Sequence, residues 1–302
     1  MKASTLHRIA WLGTRQHRLR LIRSEANVEV NGEEYAPLKL DDIALPRQEY
    51  EACAMLSKYE PLVAIKQNHI TSLRIKRKNL KEIPEPVGRL RCLRHLDLSE
   101  NAITKISNLD QLKCLYYLEL PHNKIEKIEG LSHLSELGGI NLGFNCIYRI
   151  NCISNLDKLL VLCLDNNNIE GTYAQYPDSL EALTLDNNQI KKIEGLYDLN
   201  KLSLMSLIGN QINKIEGLDK LQNLRELALS RNKIYQIEGL DNLTQLEVLW
   251  LDYNKITHLK GLDKLSQLKE LDLRGNDINY KSLSNYEAVK KLEERALVQY
   301  ES

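Results

Sequence analysis

Large aliphatic residues recur along most of the chain at the first, fourth and sixth positions of a phrase whose ninth position is asparagine. Alternating apolar and polar residues predict a short strand, and a unit this small must bury its apolar side against copies of itself. The phrase therefore predicts a stack of parallel strands, one per repeat. Its nine asparagines stand 22 residues apart with one interval of 21: Asn101, Asn123, Asn145, Asn167, Asn188, Asn210, Asn232, Asn254 and Asn276.

A tenth unit precedes these nine, because Ile70, Leu73, Ile75 and Leu80 keep the apolar frame while Lys78 takes the place of the asparagine. The segments between the phrases also share a motif, I-x-x-I-E-G-L-x-x-L. It occurs at residues 125–134, 190–199, 212–221 and 234–243.

Phrase and motif together resemble the 22-residue subclass of leucine-rich repeats, over about residues 65 to 280. That subclass includes a regulatory subunit of protein phosphatase 1, an axonemal dynein light chain and the bacterial internalins. The resemblance implies an α/β fold, a horseshoe solenoid of about ten repeats with a parallel sheet on its concave side. It also implies a protein that binds other proteins and has no chemistry of its own.

The two ends depart from the repeat and predict caps, so we divide the chain into residues 1–62, 63–280 and 281–302. In the N-terminal α+β cap, Asn31-Gly32 indicates a hairpin turn, and a helix is expected from about Arg47 to Tyr59. A C-terminal capping helix is expected from a capping box and an apolar stripe, formed by Ser284, Glu287, Val289, Leu292, Ala296 and Leu297.

Two segments leave alternatives open. Residues 1–24 carry six basic residues and no acidic one, which is typical either of a mitochondrial presequence or of a folded part of the cap. The linker between Asn167 and Asn188 contains Gly171 and Pro177 and is one residue shorter than the others. It predicts either a local change of curvature or a harmless variation on the convex side.

The composition favours a cytoplasmic monomer. Lys plus Arg and Asp plus Glu are both 41, so no net charge attracts the chain to nucleic acid or an anionic membrane. No apolar run is long enough for a membrane span, and no classical secretion signal is present. Six cysteines without a CxxC pair are interpreted as reduced thiols.

The strand residues that point away from the core, and the residues beside them, are expected to be exposed and predict where a protein partner binds. The central column runs from Arg74 through Glu119, Cys163 and Trp250 to Asp272, and aromatic or aliphatic side chains there are not required by the repeat. The alternatives are that these side chains pack along the sheet and that the aspartates are solvated charges. The expected patch comprises Phe144, Asp165, Asp186, Leu204, Ile208, Val248, Trp250, Asp252, Tyr253, Asp272 and Arg274.

Two narrower functions stay open beside the general scaffold. A regulatory subunit of a phosphatase-like enzyme follows from the resemblance, with Trp250, Glu119 and Asp272 fitting that role. An RNA-associated adaptor is suggested by a basic patch at the first repeat, although no aromatic RNA-binding motif accompanies it. Its central residues are Arg74, Lys76, Arg77 and Lys78.

The sequence contains no motif that is typical of an enzyme. We find no nucleotide-binding loop, nucleophile elbow, zinc-protease motif or EF-hand loop. The seven histidines are scattered without cysteines or carboxylates at metal spacing and are interpreted as surface residues. Cys163 is expected on the concave face but lacks an identifiable base. The sequence therefore predicts no catalytic residue, cofactor or metal.

Overall fold

The structure, a computed structural model, describes residues 35–40, 44–279, 289–294 and 296–300. The Asn31-Gly32 turn, the basic segment 1–24, Ser284 and Glu287 lie outside these residues. Within them, no helix is long and apolar enough to cross a membrane. None of the six cysteines forms a disulfide.

In the described part of the chain, thirteen strands form one sheet in sequence order. The first three pair antiparallel: β1 (Ala36–Pro37), β2 (Leu62–Lys66) and β3 (His69–Arg74). From β3 onward every neighbour is parallel, as the sequence predicts. The further strands are β4 (His95–Asp97), β5 (Tyr117–Glu119), β6 (Gly139–Asn141), β7 (Val161–Cys163), β8 (Ala182–Thr184), β9 (Leu204–Ser206), β10 (Glu226–Ala228), β11 (Val248–Trp250), β12 (Glu270–Asp272) and β13 (Leu297–Gln299).

The predicted ten repeats are confirmed as the ten strands β3 to β12. Their framing leucines and isoleucines are buried in one continuous core that runs from the N-terminal cap to Leu292. The predicted N-terminal helix is also confirmed, as α1 (Arg47–Leu56) followed by a 3-10 turn (Ser57–Tyr59). A second 3-10 turn (Glu85–Arg89) closes the first linker.

The repeat asparagines hold adjacent coils together through backbone groups. At Asn123, Oδ1 accepts a hydrogen bond from the Ile103 N–H at 2.9 Å. Nδ2 donates to the Leu98 carbonyl of the preceding coil at 3.0 Å and to the Leu120 carbonyl of its own coil at 3.1 Å. The same bonds recur from Asn145 to Asn276, so the predicted ladder is confirmed.

The short linker after Asn167 fills the place of its missing isoleucine with a hydroxyl. Thr172 is fully buried where the I-x-x-I-E-G-L-x-x-L linkers have their second isoleucine. Its Oγ1 donates to the Glu194 carbonyl and accepts from the Glu194 N–H, both at 2.7 Å. Tyr176 packs into the core, and its hydroxyl donates to the Thr172 carbonyl at 2.7 Å. The change of curvature stays a prediction.

The C-terminal cap differs from the expected single helix. Residues 289–293 are helical, and Val289 and Leu292 join the core. The helix prediction is wrong at β13, where Leu297 is exposed instead of belonging to an apolar stripe. A strand can bond the open edge of β12 and a helix cannot, and the Leu297 N–H donates to the Lys269 carbonyl at 2.8 Å.

We expect Asn188→Ala to lower the free energy of unfolding by about 2–4 kcal/mol, because it leaves buried backbone groups without partners. Asn188 accepts from the Ile169 N–H and donates to the Leu164 and Leu185 carbonyls, all at 3.0 Å. Urea denaturation measures the change. The control Asn168→Ala removes an exposed amide and should cost less than about 0.5 kcal/mol. Equal losses in the two variants would contradict the ladder.

Candidate functional site: the concave face

The side of the sheet opposite the core carries its own apolar clusters. Successive side chains of a strand point to opposite faces, so residues between the framing leucines cannot reach the core. Two clusters, separate from the main core, lie on this side of β7 to β11. We call their members the apolar concave patch: Val161, Ala182, Leu204, Ile208, Ala228, Val248 and Trp250.

The exposed position predicted for Trp250 is wrong. Its side chain is only 6% exposed, because Ala228, Val248 and Ile208 pack around it. The indole Nε1–H donates to Glu270 Oε1 at 2.9 Å across the β11–β12 pair. The alternative that the aromatic residue packs along the sheet therefore describes Trp250, and its ring forms part of the floor of the patch.

The aspartates expected in the site are buried and bonded to neighbouring coils. Asp165 Oδ1 accepts from the Asp186 N–H at 3.0 Å. Asp186 Oδ1 accepts from Ser206 Oγ at 2.5 Å and from the Ile208 N–H at 2.8 Å. Ser230 Oγ donates to Asp252. The interpretation of these aspartates as solvated charges is wrong, because their carboxylates tie one strand to the next.

Asp272 forms an ion pair with Arg274, which follows it at the end of β12. Arg274 donates from Nε to Oδ1 at 3.0 Å and from Nη2 to Oδ2 at 2.6 Å. These bonds, with the Asp272 charge, raise the pKa of Arg274 above its ordinary value. The last two expected contact residues on this face therefore form a closed ion pair.

The residue before each asparagine forms a second row, which we call the turn column. Its backbone has positive φ in every repeat, at Arg77, Glu100, His122, Phe144, Asn166, Asn187, Gly209, Arg231, Tyr253 and Gly275. Neighbouring members pair, for example by the stacked rings of His122 and Phe144 at 4.1 Å. The sequence analysis named Phe144 and Tyr253 but did not recognise this row, whose signal was its fixed place beside the asparagine.

The exposure predicted for Phe144 and Tyr253 is confirmed, at 43% and 53%. Arg231 Cζ lies 5.4 Å from the centre of the Tyr253 ring. The positive φ turns both aromatic side chains outward beside the strands. Together with Arg274 they are the exposed members of the expected site, while the strand residues themselves are largely covered by their neighbours.

A network of polar side chains closes the N-terminal end of the face. The interpretation of the histidines as surface residues is wrong for His95, which is buried and bonded on both ring nitrogens. Its Nδ1 lies 2.6 Å from the Tyr35 hydroxyl, and its Nε2 lies 2.9 Å from Glu119 Oε1. Burial raises the pKa of Tyr35 to about 12, although Arg74, with Cζ 4.3 Å from the Tyr35 ring centre, opposes this shift. The network attaches the cap to the first strands.

The central cations of the expected basic patch are paired with carboxylates of the same chain. Arg74 Nε and Lys76 Nζ lie 3.0 and 2.7 Å from Asp97 Oδ2. Arg77 pairs with Glu100 and Lys78 with Glu60, both at 2.5 Å. Sequence spacing alone did not reveal these partners. Because four cations share three carboxylates, the group keeps a net charge of only about +1, which weakens its attraction for a phosphate backbone.

Family comparison identifies the repeat. The Leucine rich repeat family matches residues 222–278, and the family Leucine Rich repeats (2 copies) matches residues 93–133. No curated protein matches the chain in sequence.

Solved structures share the fold. An internalin (inlF) of Listeria monocytogenes is 23% identical with a TM-score of 0.53, covering 88% of this chain and 94% of its own. The ectodomain of the Arabidopsis thaliana receptor kinase GASSHO1/SCHENGEN3, in complex with CASPARIAN STRIP INTEGRITY FACTOR 2, is 28% identical with a TM-score of 0.55, covering 68% and 27%. A chain of the octameric Latrophilin 3, Unc5D and FLRT2 (LRR) complex is 22% identical with a TM-score of 0.60, covering 79% and 86%.

The Asp97 network predicts an acid-dependent stability. Burial of Asp97 opposes its ionisation, but bonds from Lys76 and Ser99 outweigh burial and hold the pKa of Asp97 below its ordinary value. A carboxyl with a lowered folded-state pKa stabilises the fold above the ordinary value of about 3.9 and loses this contribution as pH falls through the folded-state value. We expect Asp97→Asn to cost about 2 kcal/mol at pH 7 and progressively less below about pH 4.

Urea denaturation of both proteins at a series of pH values checks this expectation. The exposed Asp110 supplies the control, because Asp110→Asn should leave the pH dependence close to that of the wild type. A difference between Asp97→Asn and wild type that stays constant down to pH 2 would contradict the assignment.

Proposed function

Since the chain is a leucine-rich repeat protein, we propose that it is a non-catalytic scaffold that binds a protein partner on its concave face. Leucine-rich repeat proteins generally act as protein–protein interaction scaffolds. The narrower part of the proposal concerns this chain: the face that binds, the residues that contact the partner and the absence of catalysis.

One observation carries the proposal, the apolar concave patch. It is apolar on a face where the repeat requires nothing apolar, and no described element packs over it. Parallel sheets normally have both faces covered. Most members of the patch are buried against one another, but Val161 and Ile208 are half-exposed, and apolar side chains open to solvent and bordered by polar residues are typical of an interaction site. We infer that the partner covers this face from β7 to β11.

The exposed aromatic residues supply the rim of the proposed site. Tyr253 and Phe144 stand in the turn column beside the two ends of the patch, and each ring is held by a neighbour. A side chain already held in place loses little rotamer entropy on binding, which favours affinity. Tyr253, Phe144 and the aliphatic floor are therefore the proposed contacts.

The side chains that a phosphatase or an RNA would have to contact are already bonded within the chain, so neither of these two narrower functions gains support. Glu119, Trp250 and Asp272 would have to meet a phosphatase, but each is already bonded within the chain. The cations offered to RNA are paired in the same way. We therefore propose the general scaffold, with a cytoplasmic monomer as the expected form.

Ala228→Arg tests the proposal by placing a charged side chain in the middle of the patch, between Ser206 and Trp250. In affinity purification from the source lysate, we expect at least a tenfold loss of any partner retained by the wild type, because an arginine there must be desolvated against apolar atoms. Thermal denaturation establishes that the variant is folded.

Tyr197→Arg is the matched control, since Tyr197 is 60% exposed on a linker away from the strands. It should retain the partner. Tyr253→Ala removes only an exposed side chain and serves as a second test if Ala228→Arg is unstable. Retention of the same proteins by the wild type, Ala228→Arg and Tyr253→Ala would overturn the concave site.

A further inference from the structure

Three side chains with different donor atoms meet where the N-terminal cap joins the first repeat. Glu49 comes from α1, His69 from the start of β3, and Cys92 from the segment before β4. One donor atom of each lies within 4.8 Å of the other two. Glu49 and His69 are 20 residues apart in the sequence, and His69 and Cys92 are 23 residues apart. The cluster therefore does not form a short metal-binding motif that the sequence would reveal.

Glu49 is the anomaly of its helix. The buried side of α1 consists of Glu49, Ala52, Cys53 and Leu56, so a carboxylate occupies the first position of an otherwise apolar stripe. Glu49 is 4% exposed. Burial of a carboxylate costs free energy unless the carboxylate is paired or coordinates a metal ion. An apolar side chain of the same volume would stabilise the buried side of the helix more.

Glu49 is oriented toward the cluster by a backbone bond. Its Oε2 accepts from the Ile70 N–H at 2.9 Å, and its Oε1 lies 2.6 Å from His69 Nδ1. Metal-binding carboxylates are commonly fixed in this way by an outer hydrogen bond. A metal ion bound between the two side chains would balance the charge of the Glu49 carboxylate.

Cys92 supplies a sulfur donor to the same cluster. Its Sγ lies within 4.8 Å of a Glu49 carboxylate oxygen and of a His69 ring nitrogen. A divalent cation between them would be held by the thiolate, since a coordinated thiol is deprotonated.

We propose that Glu49, His69 and Cys92 bind a zinc ion, with the fourth coordination position open to water. Zinc accepts oxygen, nitrogen and sulfur donors in one tetrahedral site, whereas magnesium and calcium take oxygen donors. Bond lengths of about 2.0–2.3 Å place tetrahedral donors roughly 3.3–3.8 Å apart. Donors that are up to 4.8 Å apart would close by about 1 Å, while Glu49 Oε1 and His69 Nδ1, now 2.6 Å apart, would separate by about 0.7 Å. The ion would replace the contact between His69 and Glu49.

The ion would link three elements, α1, the β2–β3 hairpin and the first linker, at the N-terminal end of the solenoid. The His69 side chain, 39% exposed, leaves a path from solvent. Binding to the folded state alone would raise the melting temperature as free zinc rises.

Cobalt(II) spectroscopy of the full chain tests the proposal without any variant. After removal of metal with a chelator and dialysis, cobalt(II) should produce a sulfur-to-cobalt charge-transfer band that saturates at one equivalent. Zinc should abolish the band, and zinc should raise the melting temperature of the metal-free chain. A wild-type chain that shows no such band, or one that zinc does not remove, would overturn the site.

Three substitutions locate the site within the chain. Cys92→Ser should remove the charge-transfer band, and His69→Gln should weaken zinc binding at least tenfold. Cys114→Ser is the matched control, because this exposed thiol is the neighbour of Cys92 but does not belong to the cluster. A band that persists in Cys92→Ser or disappears in Cys114→Ser would contradict the assignment.

Discussion

The fold depends on one interaction repeated along the stack, the bonding of an asparagine amide to backbone groups of two coils. A strand of three residues supplies few ladder bonds, and the turn that follows it would leave buried N–H and C=O groups without partners. Each asparagine satisfies one N–H and at least two carbonyls at this point. Since the amide reaches into the preceding coil, it also fixes the register between repeats.

The register set by the asparagines also aligns the other rows of equivalent residues along the stack. Equivalent residues of successive coils face each other directly, as Ala228 and Trp250 do. Rows of like positions can therefore pair along the stack, by carboxylate bonds on the concave face and by ring contacts in the turn column. A partner would meet a surface whose side chains are already held in place, so little conformational entropy is lost on binding.

The repeat could be recognised in the sequence because nine copies at a nearly constant spacing do not arise by chance. Each position of the repeat also has one structural role. Strand positions, parallel order and the asparagine ladder all follow from that period. The sequence did not predict which side chains of neighbouring coils contact each other. Trp250 is covered because Ala228 and Ile208 leave room beside it, and Asp186 is buried because Ser206 and Ile208 offer donors. These are contacts across coils, which the pattern of one repeat does not contain.

The two ends show the same limit. The terminal strand β13 pairs with β12 although its own sequence reads as the continuation of an amphipathic helix, because the open edge of β12 provides the missing bonds. At the other end, residues far apart along the chain form the Tyr35–His95–Glu119 network. Long-range partners of this kind are decided by where the caps dock.

Hydroxyl-radical footprinting of the chain with and without its captured partner tests the central claim most directly. If the concave face binds, Tyr253 and Phe144 should lose reactivity in the complex, while Tyr173 and Tyr197 on the linkers keep theirs; all four are exposed in the chain alone. Protection of the linker tyrosines with unchanged reactivity at Tyr253 and Phe144 would contradict the account and place the partner on the convex side.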